Sequence, residues 1–375
     1  MAIARKAPRA VIVGAGIVGT MHAIEAIRRG YRVTQLEADA VPRRASVRNF
    51  GLIWVTGRAT GPDLALAIRG RERWVTLRER LPGLPLQACG SLVVAECRPQ
   101  LAVLEQLASQ PGADERGVRL LSRREVAAGF PGLLGHVEGA LRGELDAVVE
   151  PQQTLAMLHA WLRTHDRYEL RLGCVAREVE PDGVRDENGV MHHADLTVLC
   201  PGDCVGLAAQ LDPTVRQRLL RCRLHMLETA PADYTIDTAV LGGSSLHYYP
   251  AFRVPASEQL PPPHPEAARL RAQLIVVQHG TRALRIGDTH EYGDAFDFAL
   301  DETAFSLFAR AAEALLARPV PPVRRRWAGT YAQCSDGSLY LDAQPAPGVI
   351  LVTGLGGRGM TAAPAVAAET FSRTT

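Results

Sequence analysis

Lysine is almost missing from this chain. Of its 42 Lys and Arg residues only Lys6 is a lysine, which leaves 41 arginines. A lysine general base or Schiff base in a folded core is therefore all but excluded. Charge of one sign is lacking too: 42 basic against 40 acidic residues give a net +2, so no bulk field calls for nucleic acid or an anionic membrane. Aromatic residues make up 5% and are not interleaved with a basic stripe, which argues further against nucleic acid. No stretch approaches the ~18 uncharged apolar residues of a membrane span. The start carries Arg5, Lys6 and Arg9, followed by a short apolar run that glycines break at once, unlike a signal peptide. A soluble cytoplasmic protein is expected. The seven cysteines are odd in number and no pair is separated by two residues, so reduced thiols are expected rather than a zinc or thioredoxin site. No metal site is read.

What is present is a globular composition, 47% hydrophobic and 22% charged, in 375 residues, which fits one or two domains. Glycine is in excess, 34 residues or about 9% against a usual ~7%. Some of that excess is ordered. The apolar run Ala10–Val13 leads into Gly14-Ala15-Gly16-Ile17-Val18-Gly19, and a helical pattern follows from about Thr20 to Arg29. A second strand, Tyr31–Leu36, ends at Glu37, 18 residues beyond Gly19. Strand, glycine turn, helix, strand and acid in that order are the dinucleotide fingerprint. The glycines let backbone approach a pyrophosphate, helix amides meet its charge, and the acid accepts from a ribose diol.

A nicotinamide enzyme would continue strand–helix alternation. This chain departs instead into an Arg- and Gly-rich loop, Val41–Gly61. Residues Tyr168–Leu172 and Val175–Val179 then read as paired strands, Val190–His192 as another, and Leu196–Leu199 as a buried strand entering Cys200-Pro201-Gly202-Asp203. Val349–Val352 enters a second glycine turn, Gly354-Leu355-Gly356-Gly357-Arg358-Gly359, before a helix over Met360–Thr370. The expected fold is α/β, a discontinuous Rossmann-like dinucleotide domain over residues 1–85, 145–215 and 335–375. A smaller mixed-sheet α+β substrate domain takes residues 86–144 and 216–334, including strands at Leu274–Val277 and Leu284–Ile286 and a surface loop at Pro255–Pro265.

Across nearly its whole length the chain resembles the FAD-dependent amine and amino-acid oxidoreductases related to D-amino acid oxidase, glycine oxidase and sarcosine oxidase. Besides the fingerprint, the resemblance is carried by the loop Ser46-Val47-Arg48-Asn49-Phe50-Gly51, the strand Gly90–Val94, Val149-Glu150-Pro151 and Cys200-Pro201-Gly202. It continues through Trp327-Ala328-Gly329, Asp336-Gly337 and Gly354–Pro364. Gln278 with Gly287-Asp288-Thr289-His290-Glu291-Tyr292-Gly293 is similar to the branch associated with aminophosphonate breakdown.

The resemblance implies a noncovalent FAD. Gly14, Gly16 and Gly19 would meet the pyrophosphate and Glu37 the adenosine ribose. Ser46, Arg48, Asn49 and Gly51 would run toward the flavin ring, with the Val175 backbone at adenine and Gly202 beside the cofactor. Gly356, Gly357, Gly359, Met360 and Thr361 would aim helix amides at the flavin pyrimidine edge. Arg43, Arg44 and Arg48 also read as a solvated basic loop. Arg358 reads either as a charge at the site or as a solvent-facing turn residue, since relatives place their arginine one position earlier. Some relatives attach FAD through a cysteine, but the spacing of Cys334 to Asp336 does not match.

In amine oxidation the flavin takes a hydride from the carbon bearing nitrogen, and the imine hydrolyses to an aldehyde or keto product. The protein must chiefly position the donor carbon. No catalytic triad is expected, but an anion clamp is. Amino-acid oxidases of this family have an arginine in the segment that here reads Trp327–Tyr331, and this chain has Tyr331 in its place. That argues against a plain α-amino acid and for a small aminoalkylphosphonate such as 2-aminoethylphosphonate or its hydroxylated or N-methylated derivative. Candidate donors are His247, Tyr248, Tyr249, Gln278, His279, His290 and Tyr331, with Tyr249, His279, Tyr331 and Arg358 placed foremost. The alternatives are a glycine- or sarcosine-type oxidase, with Arg326 or Arg358 as clamp, and a non-catalytic flavin-binding module. Sarcosine-oxidase relatives use a lysine to promote reaction with dioxygen. Here a histidine or arginine must supply that charge, or another acceptor takes the electrons.

Overall fold

The run Ala10–Val13 has no polar face, which suits a strand covered on both sides. In a computed structural model, which describes residues 7–130 and 135–373, strand Arg9–Val13 lies inside a six-stranded sheet. Its order is Leu341–Ala346, Val349–Thr353, Leu196–Leu199, Arg9–Val13, Arg32–Glu37 and Tyr168–Leu172. All neighbours are parallel except the edge pair Leu341–Ala346 and Val349–Thr353. Helices Ile17–Arg28 and Gly359–Ser372 pack on one face, where Ala23, Ala26, Val366 and Phe371 join Ile12 and Val198 in one core cluster. The strand order turns back on either side of Arg9–Val13, so its carboxyl end opens onto the crevice where such sheets bind ligands.

A second, nine-stranded sheet is mixed. It runs Glu291–Tyr292, Leu219–Pro231, Ala283–Gly287, Ile275–Gln278, Ala239–Leu241, Ser91–Ala95, Gly139–Gly143 and Val118–Ser122, and Val323–Cys334 pairs with Leu219–Pro231. Helix Glu302–Leu316 lays Phe305, Phe308, Leu315 and Leu316 on its core. The α/β class with a Rossmann-like sheet and a second mixed sheet is thus the one expected. No helix among the described residues is long and apolar enough to cross a membrane. Lys6 lies outside the described residues.

One expected pairing is different. Tyr168–Leu172 does not pair with the strand that follows it but runs parallel to Arg32–Glu37, while Ala176–Glu180 pairs antiparallel with Gly183–Asp186 in a separate three-stranded sheet. Gly173, at φ +65°, turns the chain between them, and Cys174 N–H donates to the Glu37 carbonyl at 2.8 Å. That left-handed turn sends the chain off the large sheet. The remaining expected elements shift by one to three residues: the first helix is Ile17–Arg28 and the last Gly359–Ser372.

Three buried histidines set an acid limit on this fold. Burial pushes His22 and His159 down to about 4 and His279 to about 3, against about 6.5 for a free side chain. His22 Nδ1–H donates to the Val18 carbonyl at 2.7 Å, and His159 meets Thr20 Oγ1 at 2.9 Å. Because the folded values lie below the unfolded one, their stabilisation is complete above pH 6.5 and is lost as pH falls toward 4. Thermal melts of the FAD-loaded protein should show a Tm dropping steadily between pH 6.5 and 4.5, with proton uptake on unfolding. A Tm flat over that interval would contradict the assignment.

Candidate functional site

At the end of the central strand Gly14 takes φ +102°, and its N–H donates to the Leu36 carbonyl at 2.7 Å. A Cβ there would sit 2.4 Å from the Cys200 carbonyl oxygen, and one on Gly19 would sit 2.0 Å from that of Gly14. The turn therefore closes only with glycine. Ile17 N–H donates to Ser46 Oγ at 2.9 Å, which ties the 46–51 loop to the first helix turn. Glu37 accepts from the amides of Ala15 at 2.8 Å and Asp39 at 3.0 Å, and a carboxylate has lone pairs left for a diol.

The second glycine turn lies across from the first. Gly354 and Gly356 are left-handed at φ +73° and +57°, and a short turn, Gly356–Arg358, feeds helix Gly359–Ser372. Both turns line one cavity of about 850 Å³, in the upper part of the ~300–1,000 Å³ range of ligand sites. Gly14, Gly16, Gly19, Glu37, Ser46, Arg48, Asn49, Val175, Gly202, Gly356, Gly357, Gly359 and Met360 all front it, as do Tyr249, Tyr331 and Arg358. A Cβ on Gly202 or Gly359 would meet nothing within 4 Å, so the backbone there faces open space.

Three singled-out residues lie off that cavity. Gly51, at φ +75°, is packed so that a Cβ would lie 1.8 Å from the Val149 carbonyl oxygen. Thr361 Oγ1 instead accepts from the Trp54 amide at 2.8 Å. His279 is buried, and its Nε2 has no partner. Gln278 ties Ile236 N–H to the Tyr234 and Arg282 carbonyls, and His247 is exposed. Arg358 is neither solvent-facing nor unpaired: its Nε donates to Asp63 at 2.8 Å. Arg43 pairs with Asp39 at 2.8 Å, and Arg48 donates to the Ala328 carbonyl at 2.9 Å. Val175 N–H donates to Glu187, so that amide is already engaged. Nearby, Asp186 accepts from His192 Nε2 at 2.9 Å and from the Cys174 thiol at 3.5 Å, and the His192 bond first of all holds its carboxyl down to about 2.

The cavity end away from Glu37 gathers Trp54, Arg58, Tyr248, Tyr249, Gln273, Asp288, His290, Tyr292 and Tyr331. Arg58 was not singled out by sequence. It is 7% exposed, and among the described residues no carboxylate pairs with it. Its Nε donates to the Trp54 carbonyl at 3.1 Å and an Nη to that of Gly357 at 3.4 Å. Its loop is pinned from two sides. Buried Asp146 accepts from the Val55 and Thr56 amides and from the Thr56 and Ser91 hydroxyls. Arg116, 1% exposed, donates to the Thr56 and Arg58 carbonyls and to Thr60 Oγ1. The phenols interlock: Tyr249 lies 5.4 Å from Trp54, and Tyr248 stacks on His290 at 4.0 Å. Burial raises the phenol pKa of Tyr248, Tyr249 and Tyr331, so all three remain O–H donors.

A Rossmann-like sheet whose switch-point crevice runs on to a polar pocket beneath a second sheet defines a dinucleotide-dependent class of protein. The model of the family described as "FAD dependent oxidoreductase", or DAO, matches residues 9–373, and the chain belongs to that family. Among solved structures it is similar to glycine oxidase from Bacillus cereus ATCC 14579, with TM-score 0.78 and 15% identity over 97% of this chain and 93% of that one. Iminodiacetate oxidase from Chelativorans sp. BNC1 gives TM-score 0.75 and 20% identity over 97% and 95%. At these identities the likeness is one of fold. A tRNA 5-methylaminomethyl-2-thiouridine biosynthesis bifunctional protein from Ectopseudomonas mendocina is 28% identical over 325 residues, 85% of this chain. The chain spans 43% of that relative's length. FAD fits the residues present, because glycine backbone opens onto the cavity at both turns and Glu37 keeps acceptor capacity at its far end.

Proposed function

We propose that this protein oxidises a small aminoalkylphosphonate, 2-aminoethylphosphonate or its hydroxylated or N-methylated derivative, to the imine that water converts to an aldehyde. FAD, when bound, supplies the hydride acceptor. The observation that carries the reading is Arg58, a buried guanidinium with no carboxylate partner, in a cavity that the two glycine turns also line. Its fork suits a multi-oxygen anion. Tyr331, Tyr249 and Tyr248 add hydroxyl donors around the same space, which suits the three oxygens of a tetrahedral phosphonate better than a planar carboxylate.

In this reading residues 86–144 and 216–334 form the substrate-binding half. Arg58 and the phenols fix the anion, and Trp54 and Tyr249 exclude water beside it. The glycine turns and Glu37 hold FAD noncovalently. The Cys334 thiol, raised in pKa by burial, donates to the Gly354 carbonyl at 3.7 Å. Dioxygen or another acceptor then takes the electrons.

The test is anaerobic reduction of the purified FAD-loaded enzyme by a panel of amines, read at the flavin absorbance. Aminophosphonates should bleach the flavin at concentrations at least tenfold below glycine or sarcosine. Bleaching by glycine with none by aminophosphonates would remove the substrate assignment.

A further inference from the structure

Acidic groups in this chain are generally matched to arginine: Asp63 to Arg358, Glu228 to Arg285 and Arg325, Asp203 to Arg221. Asp288 breaks that pattern. It is 7% exposed and lines the cavity, and among the described residues no cation pairs with it. Its Oδ1 accepts only a neutral donor, Gln273 Nε2, at 2.9 Å. Gln273 in turn reaches the Tyr249 hydroxyl at 3.3 Å and leaves its own buried Oε1 without a partner.

We infer that Asp288 is the group that binds the substrate's ammonium and takes its proton, so that the site selects amines that arrive as cations. This rests on the amine-oxidation reading above and names the second pole of that site. Arg58 and Asp288 both bear electrostatically on the Tyr249 phenol, so the cavity offers a cation and an acid on either side of one ring. A molecule with an anionic head and an ammonium satisfies both; an uncharged amine or a simple anion satisfies one.

The neighbours leave this role to Asp288 alone. His290, which stacks on Tyr248 and whose Nδ1–H donates to the Arg271 carbonyl at 3.1 Å, is lowered by burial and so stays neutral at pH 7. Burial pushes the Cys222 thiol up to about 12 and raises the Tyr248 and Tyr249 phenols. Burial also raises the Asp288 carboxyl, against smaller opposing effects of His290 and Gln273, which makes it a better base than an exposed aspartate. The step balances without an oxidant. One N–H bond of R–NH3+ breaks, one O–H bond forms on the carboxylate, and the products are R–NH2 and a neutral carboxyl. The freed lone pair is what the amine needs before it can give up hydride.

Binding to dithionite-reduced, FAD-loaded enzyme, which cannot turn an amine over, isolates this contact. Anaerobic calorimetry compares 2-aminoethylphosphonate with ethylphosphonate, which lacks the nitrogen. Asp288→Asn should weaken the aminated ligand about 10- to 100-fold and leave ethylphosphonate within about threefold. Should that variant not fold, wild type decides by itself: the preference for the aminated ligand must fall as acid protonates Asp288. Loss of both ligands together in a folded variant, or a preference that does not change with pH, overturns the inference. If amines bleach wild-type flavin and Asp288→Asn keeps full discrimination, this inference alone fails. If no amine bleaches wild type, the oxidation reading fails and takes this one with it.

Discussion

Replacing Arg58 with methionine should lower kcat/KM for an anionic amine by roughly 30- to 1,000-fold, the equivalent of about 2–4 kcal/mol for a buried charge contact. The effect belongs mostly in KM, because the anion is held equally before and during reaction. Flavin content should stay near one per chain, since neither glycine turn is touched. Arg58→Lys should recover part of the loss, since a point charge keeps attraction but not the planar fork. Arg358 makes a useful contrast. Its charge is already met by Asp63, so Arg358→Met should cost far less substrate affinity. Steady-state kinetics on the three variants reads all of this, and an unchanged kcat/KM in Arg58→Met would remove the anion clamp.

Gly19→Ala should produce a nearly colourless protein. The added Cβ would lie 2.0 Å from the Gly14 carbonyl oxygen, which is backbone and cannot swing aside. The turn must open and the helix amides lose their aim, with FAD binding weakened on the order of 100-fold, about 3 kcal/mol. Gly359→Ala separates folding from cofactor contact. That Cβ meets no protein atom within 4 Å, so the apo-protein Tm should hold while FAD affinity falls. A full flavin complement in purified Gly19→Ala would contradict the role of the first turn.

Much of the fold could be read from residues because its determinants are local. The glycines of the first turn, the apolar run before them and Glu37 lie within 29 residues, Arg9 to Glu37, and each meets a need of the chain beside it. The second glycine turn is as plain. Long-range pairings were not legible. Gly173 turns one strand away from its sequence neighbour, and Tyr168–Leu172 finds Arg32–Glu37 more than 130 residues back. Helix Pro62–Arg80 was also not read. Its charged residues mask an apolar side, where Trp74 is fully buried and Gly70 abuts Thr361, a Cβ there falling 2.1 Å from the Thr361 carbonyl.

The same division holds in the site. Tyr249 and Tyr331 were reachable through the resemblance, and both front the cavity. Arg58 was not, because nothing in sequence separates a buried arginine from 40 others. What distinguishes it is the absence of a partner, as Asp63 distinguishes Arg358 by supplying one 295 residues away. Asp288 stands in a legible motif, but its isolation from arginine shows only once the strands are assembled.

The most direct measurement is a crystal structure of the reduced, FAD-loaded enzyme soaked anaerobically with 2-aminoethylphosphonate. FAD should lie between the two glycine turns, with phosphonate oxygens on Arg58 and the nitrogen at Asp288. The carbon bearing nitrogen should then approach the flavin to about 3–3.5 Å. Density for FAD outside the crevice, or a ligand turned with its phosphonate away from Arg58, would contradict it.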